Sequence, residues 1–347
     1  MREFNKPEKI IRLIKMCYNN MRGRVKIGGE ITDSFEVYSG LKQGCALSTI
    51  LFNLVLEWVM RQTPHVGGIH LGEAMCDRLA YADDIDFCRE NIQEIDRKLN
   101  VFREAASEVG LEINETITKI LKVSRQNWVF GNIRCGNMEL EAVESFKYLG
   151  SMVTAENRVE EEVKQRIAAA ARCSWALTKV FNSNILSRRT KVRAYAVIVR
   201  PVLTYGCETW RLTKDLERKL EVFENGILRK ICGPVFDAGI GQWRRRHNYE
   251  LREMTEVPLI TSIIMAQRLR WAGHVARADE DRLISKIARG QPEGRRPTGR
   301  PRMRWSDNVK KDMMKLGVDG PTEWWDIALD RGRWKLLVTA AKSHGGP

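Results

Sequence analysis

The nonapeptide Leu79-Ala80-Tyr81-Ala82-Asp83-Asp84-Ile85-Asp86-Phe87 decides how this chain is read. Apolar residues on both sides of a paired-carboxylate turn predict a β-hairpin over Arg78 to Cys88, with Asp83 and Asp84 at its tip and within reach of each other. Two ionised carboxylates that close repel unless a cation lies between them. Mg2+ suits all-oxygen ligands and bridges to substrate phosphates, so the pair is a candidate magnesium site. Taken alone, Asp-Asp is equally a plain solvated turn.

Upstream of the hairpin, Gly40-Leu41-Lys42-Gln43-Gly44-Cys45-Ala46-Leu47-Ser48 leads into apolar positions Ile50, Leu51, Leu54, Val55, Trp58 and Val59. That spacing predicts an amphipathic helix with Ser48 as its N-cap. Further back, Val25, Ile27, Ile31, Phe35 and Val37 flank Gly28-Gly29 as in a hairpin, and Ile10, Ile11, Leu13, Ile14 and Cys17 have helical spacing. Downstream, a helix over Ile92 to Val109 stops at Gly110, and strand-like segments follow near Leu111 to Val123 and Phe146 to Val153. From about Val159 the pattern turns helical. Val163, Ile167, Ala170, Ser174, Leu177 and Phe181 share one face, Arg189 to Val199 is interrupted by Pro201, and Leu216 to Ile231 is closed by Gly233.

The 347 residues are enough for two or three domains with ordinary cores. Lys and Arg number 58 against 44 Asp and Glu, a formal net charge of +14 and an isoelectric point near 9.5. Such a balance fits a polyanion partner, nucleic acid above all, and fits equally a merely basic surface. The surplus is uneven: residues 241 to 347 hold 22 Lys and Arg against 13 Asp and Glu, and six of the ten tryptophans. The run from Gly290 to Trp305 lacks core periodicity and reads as a Pro/Gly/Arg linker. Its arginines, Arg295, Arg296, Arg300, Arg302 and Arg304 with Arg289 just before, face only Glu293 and are available for phosphate, or are simply solvated. Trp243, Trp271 and Trp305 each lie near arginine and could stack on unpaired bases or anchor small helical subdomains. The eight cysteines are widely spaced, so neither a zinc site nor a disulfide framework is supported, and His274 reads as structural. No stretch has the length of a membrane span, and an intracellular setting, cytoplasm or nucleus, is expected.

These segments in order resemble the reverse transcriptases of LINE-type (non-LTR) retrotransposons, RTE-like in character. Gly40 to Ser48 with the helix ending at Leu56-Glu57 is similar to the family's motif B, and Tyr81-Ala82-Asp83-Asp84 to motif C. Gly110-Leu111-Glu112-Ile113-Asn114 is similar to motif D, and Phe146-Lys147-Tyr148-Leu149-Gly150 to motif E, the primer grip. Arg200-Pro201-Val202-Leu203-Thr204-Tyr205-Gly206, Arg268 to Val275 and Gly299-Arg300-Pro301 resemble the C-terminal region of animal LINE elements. The resemblance implies an α+β fold: a partial right-hand polymerase palm of antiparallel sheet and helices over residues 1–155, a helical thumb over 156–235, and a basic, mostly helical nucleic-acid-binding region over 236–347 with a linker near 289–304.

It also implies an RNA-directed DNA polymerase working on an RNA template, a DNA primer and deoxynucleoside triphosphates, with no membrane. In-line attack of the primer hydroxyl would run on a two-metal magnesium site. Asp83 would hold the metals with Asp84 beside it, and Gln43, Gly44, Ser48 and Tyr81 would line the template, nucleotide and primer terminus. Lys147 of the primer grip would contact a phosphate. Two departures qualify this. By resemblance the chain is a C-terminal portion, with motif A and its metal-binding Asp, the fingers and an endonuclease domain expected ahead of Met1. Asp33 and Asp77 read as turn residues and Asp86 as lying on the outgoing arm, so none is an evident substitute and the two-metal site is expected to be incomplete, and activity impaired, in this chain. Ile117 stands where motif D places a lysine that protonates pyrophosphate, and Lys119, on the same side of a strand, is the candidate stand-in. The alternative is a catalytically inactive remnant that only binds RNA or DNA.

Overall fold

Apolar periodicity sets most of the secondary structure in the computed structural model, which describes residues 1–64, 67–71, 74–123, 131–290, 304–318 and 324–344. The chain divides into two compact units. The first comprises Met1–Ile69, Met75–Thr118 and Arg134–Glu139, and the second His70–Ala74, Lys119–Ile133 and Leu140–Pro347. Strands pair into small sheets, mostly antiparallel, among many helices: a mixed α+β architecture.

In the first unit, helix α1 (Glu8–Tyr18) is followed by short strands β1 (Arg22–Gly23), β2 (Lys26–Ile27), β3 (Glu30–Ile31) and β4 (Phe35–Glu36). β2 pairs with β3 across Gly28-Gly29, both at positive φ, and β1 pairs with β4 outside them. The glycines permit the turn the sequence requires. Helix α2 (Ala46–Gln62) follows, then strands β5 (Ile69–Leu71), β6 (Ala74–Cys76), β7 (Arg78–Tyr81) and β8 (Asp84–Phe87), and helix α3 (Ile92–Glu108). The Asn91 side chain caps α3 by accepting from Glu94 N–H at 2.9 Å, and Gly110 at φ +74 ends it. Leu56, Val59 and Met60 of α2 meet Phe102, Ala105 and Ala106 of α3 in a small core, with Ile85, Phe87, Leu111 and Ile113 packed against it.

One boundary differs from expectation. α2 starts at Ala46 after Cys45, so Ser48 lies inside the first turn rather than capping it. Ser48 is buried and hydrogen-bonded to the Tyr18 hydroxyl at 3.0 Å, a partner thirty residues away that periodicity cannot reveal.

Strand β9 (Lys119–Leu121) precedes β10 (Asn132–Cys135) and β11 (Met138–Val143), and β11 pairs with β9 in parallel through Glu141 to Val143 of the second unit. The segment expected to be strand-like from Leu111 is strand only over β9. Ahead of it, the Asn114 side chain accepts from Thr116 N–H and Thr116 hydroxyl and closes a turn instead. The hairpin of β12 (Ser145–Tyr148) and β13 (Ser151–Thr154) turns at Leu149 (φ +45) and Gly150 (φ +84), two consecutive left-handed residues. Helices α4 (Val159–Ala176), α5 (Thr178–Asn182), α6 (Arg188–Ala194), α7 (Arg200–Leu203) and α8 (Lys214–Cys232) come next. Pro201 does not break its helix: a π turn over Tyr195–Val199 joins α6 to α7. Proline cannot donate to the carbonyl four residues back, and the widened turn accommodates that loss. Strands β14 (Val235–Asp237) and β15 (Gln242–Arg244) form a hairpin before helices α9 (Asn248–Thr255), α10 (Ile260–Ala276), α11 (Leu283–Arg289), α12 (Trp305–Lys315), α13 (Trp324–Leu329) and α14 (Arg331–Ser343). One core runs from Val163 through Leu220 and Leu228 to Leu251, Ile260 and Ile264, and so draws on both sides of residue 235. A second gathers Leu269, Val309, Trp324 and Trp334. Among the described residues no helix is long and apolar enough to cross a membrane.

Candidate active site

β7 and β8 pair with Tyr81 opposite Asp84, which leaves Ala82-Asp83 as the turn. The tip is therefore one residue earlier than expected, and Asp84 opens the outgoing strand. Ala82 sits at φ +53, a left-handed conformation that costs a non-glycine residue on the order of 1 kcal/mol. Ile85 and Phe87 anchor the hairpin on the α2–α3 core, where the Phe87 and Phe102 rings meet edge-on at 5.3 Å. Tyr81, Asp83 and Asp84 remain exposed, Tyr81 at 65%.

The base of the hairpin is fixed differently. Asp77, expected in a turn, is buried and ion-paired with Arg89 and with Lys98, the latter at 3.3 Å. Lys98 also donates to Pro64 O, and Arg78 to Met60 O. Burial alone would raise the Asp77 pKa, but Arg89 and Lys98 outweigh it and hold the carboxyl below its ordinary range. Burial pushes the Lys98 ammonium down against the opposing pull of Asp77. An acid with buried cations on it is a joint. Asp83 and Asp84 have no side-chain hydrogen bond or ion pair among the described residues, and such a pair is available to an outside cation.

Adjacent exposed carboxylates are the hard oxygen donors that Mg2+ takes. Among the described residues no group of three or more His, Cys, Asp or Glu stands together, so an ion held here would complete its shell with substrate phosphate and water. Gln43 and Gly44 are exposed in the loop that enters α2, and Gly44 needs its φ of +81 rather than space, since a Cβ there would meet nothing within 4 Å. In the motif D segment, Leu111 and Ile113 pack on the core while Ile117 is 65% exposed. Lys119 is bound to Glu141 at 2.6 Å.

The segment Phe146 to Gly150 lies in the second unit, clamped by Glu162 and Arg166 and by Tyr205 and Gly206 of the Arg200 to Gly206 block. Glu162 accepts from Met152 N–H at 2.5 Å and from Arg166 at 2.6 Å, and Arg166 donates to Gly150 O. The Tyr205 hydroxyl donates to Leu149 O at 2.7 Å, with the Arg166 guanidinium 4.5 Å over its ring. Gly206, at φ +69, lets the chain pass Ser151: an added Cβ would stand 3.0 Å from its hydroxyl. The Tyr205-Gly206 pair thus fits the turn of β12–β13, a role visible in the sequence only as an unexplained block. Beside it opens a cleft of about 820 Å³ lined by Tyr148, Leu149, Tyr205, Gln267, Arg270 and Lys342 among others. Arg270 and Lys342 are exposed there, and Lys147 is exposed on the hairpin.

The C-terminal arginines separate. Arg289 pairs with Glu280 at 2.7 Å and lies over Trp325, and Arg304 sits at the start of α12, its N–H bonded to Asp307. Arg295, Arg296, Arg300 and Arg302 lie outside the described residues. Trp305 donates to Glu208 O at 2.7 Å and packs on the tryptophan core, Trp271 stacks on His274, and Trp243 is 70% exposed.

The described site is thus an exposed pair of carboxylates on a hairpin that packs on a helix pair within an α+β fold. Comparison with known proteins sharpens this. The family described as "Reverse transcriptase (RNA-dependent DNA polymerase)" matches residues 1–153. A transposon-derived protein of Caenorhabditis elegans is 30% identical over 270 residues, covering 75% of this chain and 94% of that protein. The Pol polyprotein from a type-2 retrotransposable element of Drosophila melanogaster is 26% identical over 170 residues, 46% of this chain. That from a type-1 element of Nasonia vitripennis is 27% identical over 107 residues, 31% of this chain. The chain spans 16% and 10% of the length of these two polyproteins. It belongs to the reverse transcriptase family of non-LTR retrotransposons.

Proposed function

We propose that the chain is part of an RNA-directed DNA polymerase that uses two magnesium ions, in which Asp83 and Asp84 are metal ligands and the motif A aspartate completes the site. One observation carries this: the two carboxylates are presented exposed and unpartnered on a hairpin that Ile85 and Phe87 anchor to the α2–α3 core. In this reading residues 1–155 act as palm, 156–235 as thumb and 236–347 as a basic nucleic-acid-binding region. Magnesium bound at the tip would stabilise charge on the entering and leaving oxygens as the primer hydroxyl attacks the α-phosphate. Gln43 and Gly44 lie against template base and incoming nucleotide, Ser48 holds the start of α2 through Tyr18, and Tyr81 packs beside the primer terminus. Phe146, Lys147, Tyr148, Leu149 and Gly150 steady the primer, with the Lys147 ammonium directed to phosphate. Arg295, Arg296, Arg300, Arg302 and Arg304 bind nucleic acid backbone. With a family motif A segment joined ahead of the chain, extension of a DNA primer on an RNA template with Mg2+, and none with a chelator present, is the expected result; incorporation that ignores the chelator overturns the metal assignment.

A second reading, nucleic-acid binding without turnover, is favoured by one observation. Ile117 cannot donate a proton, and the Lys119 ammonium is already engaged by Glu141. Salt-sensitive RNA binding with no primer extension under any metal condition is its signature.

A further inference from the structure

Cys76 closes β6 and Cys88 directly follows β8. They are 12 residues apart in the chain, and the fold brings their sulfurs to 3.9 Å within the first unit. Between them lies the whole carboxylate hairpin, Arg78 to Phe87. Its two ends are held together: Cys88 N–H donates to Asp77 O at 2.9 Å, and Arg89 donates to the same oxygen at 3.0 Å while pairing with the Asp77 carboxylate. Two sulfurs this close need a movement of about 2 Å to reach bonding distance, which side-chain rotation supplies without parting the strands.

The two thiols differ in access. Cys76 is buried and Cys88 half-buried, so an oxidant meets Cys88 first and Cys76 stands behind it as the resolving partner. Burial, the neighbouring Cys76 and Asp86 push the Cys88 thiol up to about 12, against the pull of Arg89. Exchange is then slow in both directions, because the thiolate is scarce and leaves poorly. Such a pair keeps its redox state once it is set.

We propose that Cys76 and Cys88 are a redox-modification site, which a low-molecular-weight disulfide such as oxidised glutathione converts to an intramolecular disulfide stapling the base of the carboxylate hairpin. The Cys88 sulfur gives its proton to water, attacks one sulfur of oxidised glutathione and expels the other as glutathione, which takes up a proton. The Cys76 sulfur, deprotonated in turn, attacks the Cys88 sulfur and expels the second glutathione. Two protein thiols lose two electrons, and one glutathione disulfide becomes two thiols. The closed loop around Arg78 to Phe87 restricts the unfolded chain and stabilises the frame of the hairpin without touching Asp83 or Asp84. This chemistry stands whether or not those acids bind metal.

The test incubates the full chain with oxidised glutathione, alkylates the remaining thiols and digests with trypsin without reduction. Cleavage after Arg78 and Arg89 leaves the two cysteines on separate peptides, Gln62 to Arg78 and Leu79 to Arg89. These should be recovered joined, at least about tenfold above any other cysteine pair, and should separate with dithiothreitol. In urea the preference should shrink to the few-fold that loop length alone gives. The joined chain should also unfold at higher urea than the reduced chain, a difference absent in Cys88→Ser. No joined peptide, an undiminished preference in urea, or an unfolding midpoint that joining leaves unmoved would overturn the proposal.

Discussion

Two acidic centres, one in each unit, stand in opposite conditions. Asp83 and Asp84 are exposed on a hairpin tip with no paired group among the described residues. Glu224 of α8 is fully buried, and its carboxylate accepts from Tyr195 hydroxyl at 2.7 Å, Arg200 at 3.1 Å, Arg252 at 2.8 Å and Ile260 N–H at 3.2 Å. Taking a carboxylate out of water costs several kcal/mol unless it is paired and hydrogen-bonded. A buried acid with four donors joins α8 to the π turn, α7, α9 and α10. A pair of sequence-adjacent acids left in water, with no ion pair among the described residues, holds nothing together and is open to an outside ion.

The largest effect should come from breaking the buried centre. Glu224→Ala leaves Arg200 and Arg252 without their counter-charge and should destabilise the second unit by about 3–5 kcal/mol, read as a fall in the urea midpoint. A loss under about 1 kcal/mol would erase the contrast between the centres.

Asp77 provides the same comparison inside the first unit, at the base of the hairpin rather than its tip. Asp77→Asn should cost about 3 kcal/mol by leaving Arg89 and Lys98 short of their partner. Because the folded pKa of Asp77 is depressed, its stabilisation is present above the unfolded value of about 3.9 and is lost as pH falls through the folded value. The unfolding midpoints of the native and Asn chains should therefore converge below about pH 4. A gap that stays constant into acid would show that the charge is not what matters.

A smaller effect is expected where motif E is clamped. Gly206→Ala places a methyl 3.0 Å from the Ser151 hydroxyl at a left-handed φ, and should cost about 1–2 kcal/mol in thermal or urea unfolding. An unchanged midpoint would mean that the approach of the two segments is not tight.

What the sequence reveals and conceals follows the same division. The hairpins at Gly28-Gly29 and Tyr81 to Asp84 are legible because strand period and turn chemistry are local, whereas Phe146 to Val153 reads as one strand-like segment and is a hairpin turning at Leu149-Gly150. So are the C-terminal ends of α3 and α8, which stop at Gly110 and Gly233. Asp77 looks like a turn residue because Arg89 and Lys98, 12 and 21 residues later, become its partners only after folding. Ser48 resembles a cap for the same reason: its real partner is Tyr18. Tyr205-Gly206 is visible as a block, but its purpose appears only against Leu149 and Ser151. The identity of the candidate catalytic acids was readable; the residues that position them and the neighbouring elements were not.

The most direct test compares Asp83→Asn with the unaltered chain in urea unfolding and, with a family motif A segment joined ahead of both, in magnesium-dependent primer extension. The account predicts extension reduced about a hundredfold or more, since metal coordination supplies several kcal/mol of transition-state stabilisation. It predicts an unfolding midpoint within about 0.5 kcal/mol of the parent, because Asp83 is exposed and unpaired. Extension at the parental rate, or a clear loss of stability, would contradict it.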